Sequence, residues 1–272
     1  MTKESAIGVF DSGVGGLTVV RFLSERLPEE ELIYLGDTAR VPYGSKSAET
    51  VARYSRMSTQ FLIGHGVKMI VIACNTASAY ALDELRATLD VPVLGAVEPG
   101  ALAAVTATRS GRIGVIGTLG TVRSGAYPRA IAAAAGGRDV HVTTHACPLL
   151  VPLAEEGWTD DAIAQAVARR YLGELREQSP DIDVLLLGCT HYPLLRTVLQ
   201  RVASELFDHQ IVLVDSAEAM ALAAREELAR LGLSRLGGTG SLRCFVTDDA
   251  RIDEVGSRFL GRPIRAVQRV DL

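Results

Sequence analysis

The sequence lacks an apolar run of the roughly 20 residues that a membrane-spanning helix needs. It also lacks an excess of basic residues, because its formal net charge is −4, whereas a dedicated nucleic-acid-binding protein is expected to carry a basic face. Residues 1–5 lead directly into a strand-like segment and leave no room for a signal peptide. We therefore expect a cytoplasmic protein that binds neither membranes nor nucleic acid.

Cysteine is scarce as well. Only four occur in 272 residues, and no two form a C-x-x-C pair, so a zinc ribbon or a thioredoxin-like site finds no support. In a reducing cytoplasm all four are expected to be free thiols. The useful question is which thiol lies where a thiolate can react, among Cys74, Cys147, Cys189 and Cys244.

Hydrophobic residues are abundant, at 48% of the chain. Short apolar runs are followed by Gly-rich or polar turns and then by segments with apolar residues at three- and four-residue spacing. This alternation predicts an α/β fold with mostly parallel sheets that are flanked by helices. The predicted strands are Ile7–Phe10, Leu32–Leu35, Met69–Ala73, Val91–Leu94, Ile113–Ile116, Val140–Thr144, Val184–Leu187, Ile211–Val214, Cys244–Thr247 and Ile264–Gln268.

The chain also shows a duplication. Met69–Thr76 resembles Val184–His191, and the match aligns Cys74 with Cys189. The pattern predicts two similar, pseudo-symmetric lobes with an active site in the cleft between them. By periodicity alone, the tail after about residue 210 fits either lobe.

Both matched cysteines follow an apolar strand and precede a helix, which is where open parallel sheets place ligand sites. The positive end of a helix dipole and free backbone N–H groups favour a thiolate there, and the same N–H groups can bind a carboxylate. A thiol on each lobe provides a proton acceptor on one face of a carbon atom and a donor on the other, as stereoinversion requires. We therefore interpret Cys74 and Cys189 as a pair of acid–base catalysts.

Each candidate also has a purely structural interpretation. Free cysteine is commonly a small buried apolar residue, and this is the role that we expect for Cys147 and Cys244. Asp11 follows the first strand and either caps the next helix or accepts a hydrogen bond from a substrate ammonium. His191 either caps its own helix or accepts the proton of Cys189. The pattern leaves both alternatives open.

Four segments together resemble the glutamate racemase family. In chain order they are Phe10–Leu17, Gly36–Gly44, Ala73–Ser78 and Gly188–Pro193. The two cysteine segments also belong to the wider aspartate/glutamate racemase superfamily, whereas the first two segments are more specific to the glutamate branch. The resemblance covers most of residues 7–220.

The resemblance implies interconversion of L- and D-glutamate, which supplies D-glutamate for peptidoglycan synthesis and hence for cell wall biogenesis and cell shape. By motif match, Cys74 resembles the base that acts on D-glutamate and Cys189 the base that acts on L-glutamate. Asp11 is expected to assist Cys74, and His191 with Glu155 to assist Cys189. The matching substrate-binding positions are Asp11, Ser12, Tyr43, Gly44, Asn75, Thr76, Thr118, Thr121, Thr190 and His191.

The resemblance also implies a division of the chain. The first lobe would comprise residues 1–98 plus 210–272, and the second lobe, residues 99–209, would be inserted within it. A homodimer is the expected assembly on base rates alone.

No cofactor is expected. The α-proton of an amino acid is a far weaker acid than a thiol, whose pKa is about 8.5, and imine-forming cofactors usually supply the missing stabilisation. None of Lys3, Lys46 and Lys68 stands in a strand-end loop beside the four segments. Fixed donors in a closed, dry cleft must then stabilise the charge, and we expect the lobes to close on the substrate.

Three other interpretations stay open. A two-lobed binding protein for acidic metabolites would explain the duplication, but not a thiol at both positions. An aspartate racemase would share the chemistry and differ in its side-chain pocket. A metal-dependent hydrolase built on Cys74, Cys189 and His191 would need a better ligand spacing, and we expect no metal site.

Overall fold

Two parallel β-sheets organise the chain in the computed structural model, which describes residues 2–272. The first sheet contains β1 (Ile7–Asp11), β2 (Leu32–Gly36), β3 (Met69–Ile72), β4 (Val93–Gly95), β9 (Leu242–Val246) and β10 (Val267–Arg269). The second contains β5 (Arg112–Gly117), β6 (His141–Ala146), β7 (Val184–Gly188) and β8 (Val212–Asp215). The strand orders are β10-β9-β2-β1-β3-β4 and β6-β5-β7-β8, with neighbouring strands parallel.

Helices connect these strands. They are α1 (Leu17–Arg26), α2 (Ala48–Gly64), α3 (Asn75–Thr88), α4 (Val97–Ala107), α5 (Leu119–Ser124), α6 (Ala126–Ala135), α7 (Leu150–Glu156), α8 (Ala162–Gln178), α9 (Arg196–Leu206), α10 (Ser216–Arg230) and α11 (Ser257–Leu260). Polar residues begin several of them: the side chains of Ser47, Thr118 and Asp161 each accept a hydrogen bond from the backbone N–H three residues later. No helix within residues 2–272 is long and apolar enough to span a membrane.

The predicted α/β fold class is confirmed, because the strands have the character of parallel strands that are covered on both faces. Every residue of β1, β2 and β7 is buried, as expected for near-continuous apolar strands. One apolar core joins the two sheets, since it contains Val9 and Val71 of the first together with Leu185 and Leu187 of the second. The lobes therefore share packed side chains.

Sheet membership argues for one change in the predicted division of the chain. The predicted first lobe includes all residues from 210 onward, but β8 pairs with β7 in the second sheet, from Val184↔Val212 to Leu187↔Asp215. The chain rejoins the first sheet only with β9, which pairs with β2. The division into lobes stays a prediction, with its second boundary moved beyond Asp215.

The strand ends carry the segments that the sequence had singled out. β1 ends at Asp11, and Cys74 follows the end of β3 by two residues. In the second sheet Thr118 directly follows β5, and Cys189 directly follows β7. Since the strands of each sheet are parallel, their carboxyl ends lie at one edge, where the candidate site is found.

Candidate active site

A cavity of about 270 Å³ lies between the strand ends of the two sheets, and both matched cysteines line it. Two larger cavities, of about 610 and 690 Å³, are lined by neither cysteine. Of the other predicted site residues, Asp11 and Thr121 do not line the cavity. The rest line it: Ser12, Tyr43, Gly44, Asn75, Thr76, Thr118, Glu155, Thr190 and His191.

Cys74 stands at the start of a helix in an acidic surrounding. It is the N-cap of α3, and its Sγ accepts a hydrogen bond from the Ala77 N–H at 3.4 Å. Burial and the charge of Asp11 raise the pKa of Cys74 to about 12, although hydrogen bonds from Ser12 and Ala77 act in the opposite direction. At neutral pH Cys74 is therefore a thiol, which is the proton-donating form.

Cys189 has a basic neighbour. Its Sγ lies 3.9 Å from His191 Nδ1, and His191 Nε2 lies 2.9 Å from Glu155 Oε1. Burial works to lower the pKa of His191, but hydrogen bonds to Cys189 and Glu155, with the charges of these groups, raise it to about 10. The imidazole is therefore a cation at neutral pH and can stabilise negative charge on the adjacent sulfur.

Asp11 is fully buried at the end of β1. Its Oδ2 accepts the Gly13 N–H at 2.9 Å, whereas its Oδ1 is buried and has no hydrogen-bond partner among residues 2–272. Burial raises the pKa of Asp11, and the charge of His191 opposes that rise. A buried oxygen without a partner costs free energy. A donor that came within hydrogen-bonding distance of Oδ1, from a substrate or from a side chain, would remove that cost.

Three threonine hydroxyls join the two lobes across the cleft. Thr76 Oγ1 lies 2.8 Å from Thr118 Oγ1 and 3.0 Å from Thr121 Oγ1, and the last two are 3.0 Å apart. Thr76 lies in the first turn of α3 and Thr118 caps α5, so two helix N-termini converge there. Hydroxyls beside helix N-termini are suited to binding a carboxylate.

Asn75 and Thr190 follow the two cysteines at equivalent places. Asn75 Oδ1 accepts a hydrogen bond from Tyr127 at 2.5 Å, and its buried Nδ2 has no partner within the described chain. Thr190 Oγ1 lies 3.4 Å from His191 Nδ1, and its carbonyl accepts from Thr18 Oγ1 at 3.1 Å. Asn75 thus offers the cavity a donor, while Thr190 holds its loop against α1.

Tyr43 and Gly44 reach the cavity in different ways. The Tyr43 hydroxyl donates a hydrogen bond to Asp37 Oδ2, so it is already engaged within its own lobe. Gly44 faces the second lobe, because a Cβ at this position would lie 2.7 Å from Thr118 Cβ. Gly44 therefore permits close approach of the lobes.

Sequence reasoning missed the apolar part of the wall and a partner of Asn75. The wall includes Val41, Leu119, Pro148 and Val151, and the partner is Tyr127. The rule that ligands bind beyond strand ends could have pointed to Pro148, which follows β6. No local pattern marks Tyr127, since it lies inside α6.

The other two cysteines are buried away from the cavity lining. Burial raises the pKa of Cys147, and it raises the pKa of Cys244 to about 11. Neither sulfur has the setting of a reactive thiol. In the part of the chain that the structure describes, no cluster of three or more His, Cys, Asp or Glu side chains could hold a metal ion.

Comparison with known proteins relates the chain to racemases. The family described as Asp/Glu/Hydantoin racemase matches residues 17–224. Over 269 residues the chain is 52% identical to a glutamate racemase of Geobacter metallireducens, covering 98% of this chain and 97% of that relative. It is 49% identical to one of Syntrophus aciditrophicus, over 98% of this chain and 96% of that relative.

Solved structures resemble the fold over the whole length of the chain. A glutamate racemase from Thermus thermophilus, in complex with β-chloro-D-alanine, has a TM-score of 0.88 at 45% identity and covers 100% of this chain and 99% of that one. A glutamate racemase from Francisella tularensis, in complex with D-glutamate, has a TM-score of 0.90 at 33% identity, covering 99% and 98%.

Proposed function

Since the chain belongs to the Asp/Glu/Hydantoin racemase family, we propose that it interconverts L- and D-glutamate without a cofactor. The substrate assignment is supported by relatives that carry the name glutamate racemase at 44–52% identity over nearly the whole chain. It is also supported by the similar structure that contains D-glutamate. The observation that carries the mechanism is the pair of cysteines, one from each sheet, in the lining of one small cavity.

The proposed reaction moves one proton off Cα and another onto it. With L-glutamate, the Cys189 thiolate takes the α-proton, and the electron pair of the broken C–H bond stays on the substrate as a carbanion. The Cys74 thiol then gives its proton to the opposite face, which leaves D-glutamate and a Cys74 thiolate. The reverse reaction exchanges the two roles.

The helpers differ between the two sides. His191, held by Glu155 at 2.9 Å, is suited as a cation to stabilise the Cys189 thiolate. Asp11 acts in the opposite sense on Cys74, because its charge favours the protonated thiol, and its buried Oδ1 has no hydrogen-bond partner among the described residues.

Charge on the carbanion must be stabilised by donors that are already in place. The converging hydroxyls of Thr76, Thr118 and Thr121, together with the N-termini of α3 and α5, are suited to the substrate α-carboxylate. The volume of about 270 Å³ suits a metabolite of the size of glutamate. The narrow, partly apolar cavity would exclude water and so strengthen these interactions.

Three broader assignments belong to the same proposal. The D-glutamate would serve peptidoglycan synthesis in the cytoplasm, the protein would act as a homodimer, and the two lobes would close on the substrate. A common oligomer for such an enzyme is a twofold dimer.

Isotope exchange without added cofactor tests the proposal. The protein, treated with a chelator and dialysed, is incubated in D₂O with L-glutamate or D-glutamate, and Cα deuterium and enantiomer ratio are followed by NMR and chiral chromatography. We expect deuterium at Cα and convergence to equal amounts of the two enantiomers, with aspartate exchanging far more slowly. Binding of glutamate without exchange would show a binding protein, and faster turnover of aspartate would show an aspartate racemase.

A further inference from the structure

The C-terminal segment of the chain touches the helper residues of only one cysteine. After β9 in the first sheet, residues 251–260, which we call the C-terminal brace, pass beside α7 in the second lobe. Within the brace, Ile252, Phe259 and Leu260 are buried in the core that also contains Cys189. The brace is therefore a packed part of the molecule.

Two polar contacts connect the brace to the end of α7. The Arg258 guanidinium donates a hydrogen bond to the backbone carbonyl of Glu155. Arg251 forms an ion pair with Glu156, with 2.7 Å between Arg251 Nη1 and Glu156 Oε1. Glu155 carries the carboxylate that holds His191, so the Arg258 contact acts on the backbone from which that carboxylate projects. The Arg251 contact holds the side chain of the next residue, Glu156.

A third contact reaches His191 itself. The ring of Phe259 packs edge-on against the imidazole, with the centroids 4.9 Å apart. Phe259 is fully buried, so it forms a wall on the side of the imidazole. The brace thus supports His191 directly and supports its carboxylate partner through the backbone.

A glycine makes room for the guanidinium. Gly157 ends α7 with a φ of +77°, and a Cβ at this position would lie 2.8 Å from Arg258 Cζ. Glycine is therefore required there both by the left-handed backbone and by the close approach of Arg258. The end of α7 is shaped to receive the brace.

The Cys74 side lacks such support from this segment. Cys74 accepts from Ala77 in its own helix, and Asp11 accepts from Gly13 in its own loop. Among the described residues, neither Cys74 nor Asp11 forms a hydrogen bond with the brace.

We propose that the C-terminal brace positions the Glu155–His191 pair, with Arg258 and Phe259 as positioning residues for proton transfer at Cys189 and not at Cys74. This inference rests on the proposed function, because it assigns each cysteine to one face of glutamate. Its consequence is a defect that is specific to one enantiomer in reactions that need only one cysteine.

Racemisation itself cannot show this specificity, because the equilibrium constant between enantiomers is one and kcat/KM must fall equally in both directions. An elimination reaction, which uses only one cysteine, can show this specificity. In 3-chloroglutamate, loss of the α-proton to one thiolate lets the electron pair form a Cα–Cβ double bond as chloride leaves. Water then converts the enamine product to 2-oxoglutarate and ammonium, which can be measured. The L-isomer reports on Cys189 and the D-isomer on Cys74.

The test compares R258M, F259L and R258K, with R26M as a matched control. Arg26 also forms an exposed ion pair between two elements, 3.0 Å from Glu218, but lies away from the cavity lining. Because a small displacement of a catalytic group is costly, R258M is expected to slow elimination from L-3-chloroglutamate about tenfold. Elimination from the D-isomer should stay within about twofold, and R258K, which keeps a donor for the Glu155 carbonyl, should recover most of the loss.

The outcomes separate this inference from the proposed function. An unmodified protein that neither racemises glutamate nor eliminates chloride would overturn the function. If it is active but R258M and F259L slow both isomers equally, or slow neither, the brace has no selective role. Thermal melts monitored by circular dichroism show whether a variant is folded, and F259L, which keeps an apolar side chain, provides the comparison if R258M is not.

Discussion

Cys74 and Cys189 occupy equivalent places in the two sheets, but their neighbours differ. Each follows a buried strand and lines the same cavity. Cys74 is surrounded by a helix N-terminus and the Asp11 carboxylate, and its pKa is raised to about 12. Cys189 lies beside His191, whose pKa is raised to about 10. The duplicated fold places the two sulfurs alike, while the helper residues decide where the protons reside.

The difference suits a reaction that needs opposite protonation states on its two faces. At neutral pH the Cys74 thiol holds a proton, and the His191 cation is available to stabilise an anionic Cys189. In the proposed reaction this arrangement favours a proton on Cys74, which is the donor when L-glutamate is the substrate.

Removal of either sulfur should have the largest effect. We expect Cys74→Ser and Cys189→Ser to lower kcat for racemisation by at least about 10³-fold in both directions, because a hydroxyl is a far weaker acid than a thiol and each turnover uses both faces. Circular dichroism detection of both enantiomers measures the loss. Cys244→Ser, in a buried strand away from the cavity, is the control. A Cys74→Ser variant with near-normal racemisation would defeat the two-thiol mechanism.

Substitution of His191 or Asp11 should affect the reaction at one cysteine more than at the other. Because an acid–base helper is typically worth about 10²-fold or more, His191→Asn should slow elimination from L-3-chloroglutamate by about that factor and affect the D-isomer much less. Asp11→Asn should show the opposite preference. Ammonium release from each isomer measures both effects. The same isomer preference in both variants would mean that the helpers are not divided between the cysteines.

Alkylation of Cys74 without substrate should test whether burial holds it as a thiol. With a pKa of about 12 against an ordinary value of 9.0, Cys74 holds about 10³-fold less thiolate than an ordinary cysteine, which its greater nucleophilicity only partly offsets. We therefore expect iodoacetamide to modify Cys74 at least about 30-fold more slowly than a free cysteine peptide at pH 7.5, as followed by peptide mass spectrometry.

The pH dependence of this reaction provides the control. Below its pKa, the thiolate fraction of Cys74 rises about tenfold per pH unit, so its alkylation rate should still be climbing at pH 10. A Cys74 rate that levels off near pH 8 would show that the sulfur is not held as a thiol.

Much of this arrangement could be predicted from the sequence, because neighbouring residues in the chain mark where each parallel strand ends and the next helix begins. An apolar strand followed by Cys-Asn-Thr or Cys-Thr-His specifies a strand end and a helix start, and strand ends gather at one edge. Cys74, Cys189, Thr76 and Thr190 were therefore identifiable without coordinates.

The missing parts depend on packing between distant segments. Strand β8 is apolar and could have joined either sheet, so its pairing with β7 had no local signal. Arg258 lies 103 residues from Glu155 in sequence, and nothing in its own segment indicates that contact. Tyr127 is likewise linked to Asn75 only by the way α6 packs.

Glycine-to-alanine substitutions beside each cysteine should have smaller effects on kcat than removal of a sulfur. A Cβ at Gly15 would lie 2.5 Å from the His191 ring and closer still to Thr190 Oγ1. Since this ring is held by Glu155, it cannot move away without leaving its position beside Cys189. We expect Gly15→Ala to lower kcat about tenfold. Steady-state kinetics measures this, and unchanged kcat would mean that the His191 side tolerates displacement.

Gly120 provides the matched change on the Cys74 side. A Cβ there would lie 3.0 Å from the Gly44 carbonyl oxygen and 3.0 Å from Thr76 Cγ2, so a shift of a few tenths of an ångström between the lobes relieves the contact. Gly120→Ala should therefore raise KM and leave kcat within about threefold, because it disturbs lobe approach more than the position of a catalytic group. If Gly120→Ala instead lowered kcat as much as Gly15→Ala does, contact between the lobes would matter for proton transfer as much as the placement of His191. The difference between the Cys74 and Cys189 sides would then arise from lobe closure.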